Sequence, residues 1–265
     1  MSPVAGPGFL TLPDRASKPR DCGFTHVLDK GFPVATLESL VATAGAYIDF
    51  VKLGWGTAYV SEGVEEKIAV CRAAGIGVSL GGTLLEIAVH QNAVDECAHW
   101  MHALGLEYVE VSNGALDMST VDKQDLIKRL AGEFQVISEV GSKKPSELMI
   151  TMEWAKEMLD DLDAGASLVI AEGRESGNVG LFGSTGDVHG DLVESIVDIV
   201  PVDKVIFEAP KKDQQTWFIE RLGADVNLGN IPPDEVIPLE TLRLGLRADT
   251  TDTLPDPAGG RRKEP

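Results

Sequence analysis

The feature that most constrains this chain is an alternation. Eight short segments rich in Val, Ile or Phe, each bounded by Gly, Pro or Asn, are separated by stretches whose apolar residues recur at helical spacing. The segments are Phe24–Asp29, Ile48–Leu53, Gly75–Leu80, Glu107–Ser112, Phe134–Val140, Ser167–Glu172, Lys204–Ala209 and Asp225–Leu228. Between them, Val94, Cys97, Ala98, Met101 and Leu104 form one helical stripe; Leu192, Val193, Ile196, Val197 and Val200 form another. Strand–helix alternation over about 225 residues predicts an α/β chain folded as a single (β/α)8 TIM barrel, whose usual size is about 250 residues. An open doubly wound sheet is the lesser alternative, because it more often stops at five or six strands. The barrel is expected over 23–247, with an N-terminal arm over 1–22 and a disordered tail over 248–265, where large apolar side chains are nearly missing.

Charge narrows the function. The 265 residues carry 42 acidic and 23 basic side chains, a formal net charge of −19. No general basic face for nucleic acid is expected from that balance. No apolar run reaches the roughly 20 residues of a membrane helix, and the first ten residues lack the basic and apolar regions of a secretory signal. Cys22, Cys71 and Cys97 are widely spaced and odd in number, which excludes a disulfide framework and favours a reducing, cytoplasmic setting.

Within the strands, period two places charge on the inner face of a barrel, late in otherwise apolar segments. The inward sets are Tyr108, Glu110 and Ser112; Ile137 and Glu139; Leu168, Ile170 and Glu172; Ile206 and Glu208. Asp29 closes the first strand and Lys52 nearly closes the second. Singly, each carboxylate reads as a salt-bridged strand end. Together, buried charges require partners or a hard cation such as Mg2+. Lys30, Lys52, Lys143, Lys144, Arg174, Lys211 and Lys212, seven of the 23 basic residues, fall in or just after strand ends. Such a focus on an acidic protein would draw in a small polyanion. Glycine-rich loops follow several strands: 54–57, 81–83, 173–177 and 229–230. Their backbone amides could approach phosphate oxygens, although none fits a nucleotide-loop fingerprint. His26 reads as a packed, hydrogen-bonded core residue, His99 and His102 as a solvated helix face, and His189 as a residue that could reach the mouth.

Several of these stretches resemble the phosphosulfolactate synthase family, which includes heat-stress-associated relatives. The resembling segments are Asp29–Gly31, Asp49–Thr57 (DFVKLGWGT), Gly81–Glu86, Val111–Gly114, Ser138–Gly141, Glu172–Gly177 (EGRESG), Phe207–Gln215 (FEAPKKDQQ) and Asn227–Ile231. The resemblance implies a Mg2+-dependent barrel lyase that adds sulfite to phosphoenolpyruvate, giving (2R)-phospho-3-sulfolactate early in coenzyme M biosynthesis. It implies Glu110, Glu139 and Glu172 as metal ligands. Lys143 would be the acid that protonates C2, with Lys52 as the alternative. Lys30, Arg174, Ser176, Gly177, Lys212 and Asn230 would bind the anionic substrates. Small anions are the expected partners, with a homo-oligomer left open. The competing readings are another barrel enzyme acting on a phosphorylated small acid, through a lysine Schiff base, and a non-catalytic stress-associated protein that keeps the fold.

Overall fold

The computed structural model describes residues 6, 8–116, 118–141, 151–173 and 176–255. Eight parallel strands form one nearly closed barrel: β1 Thr25–Asp29, β2 Phe50–Leu53, β3 Gly77–Leu80, β4 Tyr108–Val111, β5 Gln135–Val140, β6 Ala166–Ala171, β7 Val205–Glu208 and β8 Leu228–Ile231. The ladder runs β3-β2-β1-β8-β7-β6-β5-β4. At the seam between β3 and β4, its two ends, the start of the helix after β3 is tied to the end of β4: the Gly82 amide donates to Glu110 Oε1 at 2.8 Å, and Ser112 Oγ to Glu86 Oε1 at 2.5 Å. The helices are α1 Val34–Ala44, α2 Thr57–Val60, α3 Val64–Ala73, α4 Gly82–His90, α5 Val94–Ala103, α6 Thr120–Leu130, α7 Thr151–Asp163, α8 Gly190–Val197, α9 Lys212–Leu222 and α10 Val236–Arg243.

Strand alternation divides the core in two. Inside the barrel, Phe24, Phe50, Ile137, Leu168, Ile170 and Ile206 pack together with Tyr108. Phe50 meets Phe24 and Tyr108 edge-on, with ring centroids 5.3 and 5.1 Å away, so aromatic rings fill the floor of the barrel. The opposite phase of the same strands, including Val27, Val51, Val109, Val136, Val169 and Val205, is buried against the helices. With both faces of each strand covered, the β-branched runs need no polar face. Above the aromatic floor, the inner phase turns from apolar to charged.

Seven strands lie within the expected segments or one residue from them, and the eighth is displaced. It was expected at Asp225–Leu228 and forms at Leu228–Ile231, across the Gly-Asn pair read as a loop. A side chain at Gly229 would put its Cβ 2.9 Å from Ile206 Cγ2 and 3.3 Å from His26 Nδ1, so this strand enters the barrel only with glycine there. Asn230 has φ 54°, which resets the alternation and sends it to the mouth, while Leu228 and Ile231 both join the outer core.

The segments set apart as arm and tail also supply ordered residues. Arg15 is buried, bonded to Asp225 Oδ1 at 2.7 Å, Glu240 Oε1 at 3.1 Å and the Gly23 carbonyl at 2.7 Å. Ala248–Thr253 forms a 3-10 helix whose Thr250 is buried.

Candidate active site

At the C-terminal ends of the strands, a cavity of about 310 Å³ opens between the loops. Its wall includes Leu28, Lys52, Trp55, Glu110, Glu139, Glu172, Ser176, Glu208 and Asn230, with backbone from Gly54, Gly81 and Gly82. Lys52 stands in the middle of the acids and is 5% exposed. Its Nζ lies 3.1 Å from Glu208 Oε1, 3.3 Å from Glu110 Oε2 and 3.6 Å from Glu139 Oε2. Each of these side chains comes from the inner phase of its own strand, β2, β7, β4 and β5. The alternation that packs the aromatic floor therefore delivers the charges two residues later. Two carboxylates are held a second time by backbone amides just past strand ends: Gly82 N–H donates to Glu110 at 2.8 Å, and Gly173 N–H to Glu208 at 2.9 Å.

The electrostatics follow from burial and charge count. Burial alone would lower the Lys52 pKa, but the carboxylates of Glu110, Glu208 and Glu139 outweigh it and hold the ammonium well above its ordinary range. Burial pushes Glu110 up to about 7, against the pull of Lys52 and with Glu139 adding repulsion. Burial raises Glu208 as well. Lys52 is thus a firmly protonated cation in a site with more carboxylates than one lysine can neutralise. Beneath it lies His26, fully buried, with neither ring nitrogen hydrogen-bonded among the described residues; burial and then Lys52 press its pKa well below the usual value. The Asn230 Oδ1 is also buried without a hydrogen-bond partner among the described residues.

The structure gathers Lys52, Glu110, Glu139 and Glu172, placed at the mouth by strand position, around one cavity with Ser176 and Asn230, which were read as loop residues. Lys30 is exposed, its Nζ 5.4 Å from the centroid of the Trp55 ring. Gly177 is not on the wall: its carbonyl accepts from Lys211 Nζ at 3.2 Å and Gln214 Nε2 at 2.9 Å. Lys212 turns to Asp249 at 2.8 Å, beyond the cavity wall. Lys143, Lys144 and Arg174 lie outside the described residues. His189 precedes α8 and is bonded through its backbone to Leu181, apart from the cavity wall.

Asp29 departs from the expected group of mouth carboxylates. It has the opposite phase to His26 and Leu28, so it faces α3, where it meets Lys67 Nζ at 2.6 Å and accepts from the Gly31 and Phe32 amides. His26 is packed in the core, as expected, but the hydrogen bond expected with it is not seen among the described residues. Glu208 lay on the inner face by period two and had been given no role. The loop amides and Trp55 were visible only as parts of glycine-rich loops.

A metal was expected on Glu110, Glu139 and Glu172. Among the described residues, no three His, Cys, Asp or Glu side chains converge closely enough to hold an ion. Two of the three expected ligands are instead turned onto the Lys52 ammonium.

A nearly closed parallel barrel with its acids, a lysine and backbone amides collected at the strand C-terminal ends defines an enzyme of the TIM-barrel class. The (2R)-phospho-3-sulfolactate synthase (ComA) family model matches residues 13–249. The chain is 43% identical over 244 residues to a phosphosulfolactate synthase of Bacillus subtilis, covering 91% of this chain and 97% of that protein. It is 46% identical over 234 residues to one of Methanocaldococcus jannaschii, covering 86% and 93% respectively. Among solved structures, 3-hexulose-6-phosphate synthase from Salmonella typhimurium matches at a TM-score of 0.52 and 14% identity over 86% of this chain and 93% of that one, a likeness of fold. The chain belongs to the phosphosulfolactate synthase family and is an enzyme of that family. No helix of the described residues is long and apolar enough to cross a membrane.

Proposed function

We propose that the protein adds sulfite to phosphoenolpyruvate to form (2R)-phospho-3-sulfolactate, as a cytoplasmic enzyme of coenzyme M biosynthesis. The observation that carries this reading is Lys52 fixed among Glu110, Glu139 and Glu208 in a cavity at the barrel mouth of a family member. The sulfite sulfur lone pair forms a bond to C3. The C2–C3 π pair moves onto C2 and the adjoining carboxylate, and a proton then joins C2. Charge grows on the substrate carboxylate during attack, and a fixed cation in a mostly buried site stabilises it without reorganisation. Lys52 suits that role. Its raised pKa makes it a reluctant proton donor, so the acid at C2 is assigned to Lys143. The same raised pKa disfavours Lys52 as a Schiff-base nucleophile, which must be neutral to attack. Ser176 and Asn230 offer neutral polar groups on the wall for the phosphoryl and sulfite oxygens, with Arg174 as a further anion contact.

Mg2+, implied by the resemblance, is proposed to arrive with the phosphorylated substrate, because the acids among the described residues do not form a ligand set by themselves. Mn2+ electron paramagnetic resonance, with and without phosphoenolpyruvate, checks that order of binding. The reaction itself is tested by mixing protein, phosphoenolpyruvate, sulfite and Mg2+ and following phosphorus resonances. The phosphosulfolactate signal should appear and should vanish in a folded Lys143→Ala protein. No product with wild type rejects the assignment, and full turnover by the variant rejects Lys143 as the acid.

A further inference from the structure

Trp55 is one residue past Gly54, at the end of β2, and forms part of the cavity wall. It sits at φ 50° and ψ 31°, a left-handed conformation in which a bulky residue is an outlier and glycine is at ease. The glycines on either side of the turn are closely packed. A Cβ on Gly54 would fall 2.7 Å from Leu28 Cδ1, and one on Gly81 would fall 3.3 Å from the Trp55 nitrogen. Gly56 follows, also left-handed at φ 73°. The least suitable position in the turn therefore carries its largest side chain. Packing does not account for this, since Trp55 is 51% exposed.

What the indole does hold is a cation. Lys30 Nζ lies 5.4 Å from the ring centroid, within the roughly 6 Å range over which an ammonium is attracted to an aromatic face. Lys67 is neutralised by Asp29 and Lys212 by Asp249, and Lys211 Nζ is held by the Gly177 carbonyl. Lys30 has the indole as its partner among the described residues, which restrains the ammonium and leaves its charge available. On a chain with net charge −19, a cation that has no ion pair among the described residues and is held by an indole of the cavity wall is where an incoming dianion finds attraction.

We propose that Trp55 is a positioning residue that holds Lys30 at the cavity mouth to receive the phosphoryl group of the substrate. The inference rests on the reading that the substrate is a small phosphorylated acid. The backbone strain at Trp55 is retained because the turn points the indole, and with it the cation, toward the opening.

The test compares wild type with Trp55→Gly, Trp55→Phe, Lys30→Met and the Trp55→Gly/Lys30→Met double variant. Readouts are melting temperature, calorimetric binding of phosphoenolpyruvate, and kcat and KM. Trp55→Gly is expected to melt no lower than wild type, since glycine relieves the strain. Its KM and its dissociation constant for phosphoenolpyruvate should each rise about tenfold while kcat stays within about twofold. Trp55→Phe keeps an aromatic face and should recover most of the affinity. The double variant should bind no more weakly than Lys30→Met, because the two residues act as a unit. Unchanged affinity in Trp55→Gly, or fully additive losses, would overturn the proposal. Should Trp55→Gly fail to fold, Trp55→Phe and Lys30→Met decide: an affinity drop in Lys30→Met with partial loss in Trp55→Phe supports it, and no change in either overturns it. A wild type that makes no phosphosulfolactate yet binds phosphoenolpyruvate through Trp55 would defeat the functional reading alone. An active wild type with unaltered KM in Trp55→Gly would defeat this inference alone.

Discussion

Two of the buried lysines in this barrel, Lys123 and Lys52, each meet more than one carboxylate, and they serve opposite ends. Lys123, on α6, is 0% exposed; its Nζ lies 2.8 Å from Glu157 Oε1, 2.8 Å from Asp161 Oδ2 and 2.8 Å from the Glu139 carbonyl. Three N–H donors meet three acceptors, and the group is sealed between α6, α7 and the outer face of β5. Lys52, inside the barrel, also faces three acceptors, but all three are carboxylates and the fourth side is an open cavity. The two lysines meet at one residue: Glu139 gives its carboxylate to Lys52 and its carbonyl to Lys123. A buried lysine is therefore no marker of chemistry in itself. What separates the site from the staple, among the described residues, is that the ammonium is ringed by three carboxylates next to accessible space.

That contrast can be broken by experiment. Lys123→Met leaves Asp161 buried without its cation, and should lower unfolding stability by about 3–5 kcal/mol in urea titrations. Where the variant is still folded, its turnover should remain close to wild type. Loss of turnover with undiminished stability would make Lys123 part of the site and erase the distinction.

A smaller effect is the pH dependence of stability. Glu110 rises from an ordinary 4.5 to about 7 through burial, so between those values the folded protein keeps a proton that the unfolded chain has lost. Its contribution to stability is full below about 4.5 and is lost as pH rises through about 7. The slope can reach about 1.4 kcal/mol per pH unit from this one group. Glu110→Gln keeps a neutral acceptor for the Gly82 amide and should flatten the measured slope across that window. An unchanged slope would show that Glu110 is ionised throughout. The smallest effect is expected at Lys212, whose partner is Asp249: Lys212→Ala should alter KM by less than about twofold, because an exposed pair is worth little.

Much of this was legible in the sequence because a barrel strand repeats every two residues. That period alone put Glu110, Glu139, Glu172 and Glu208 on one wall, and the late position of Lys52 in its strand brought it to the same mouth. Position in the strand without phase misled at Asp29, which closes β1 from its outer side and binds Lys67. The eighth strand was missed by three residues because glycine and asparagine have poor strand preference, and nothing local shows that Ile206 and His26 crowd Gly229. Loop lysines were the least readable. Lys212 is 37 residues from Asp249, and no local pattern announces such a pair. The left-handed backbone of Trp55 had no sequence signal beyond its two flanking glycines.

The most direct measurement is kcat/KM for phosphosulfolactate formation in Lys52→Met, taken below its melting temperature and beside Lys123→Met in the same buffer. Removing a fixed cation from beneath developing charge should cost about 10³-fold or more in the first protein, against little change in the second. Near-wild-type turnover without the Lys52 ammonium would contradict the account at its centre.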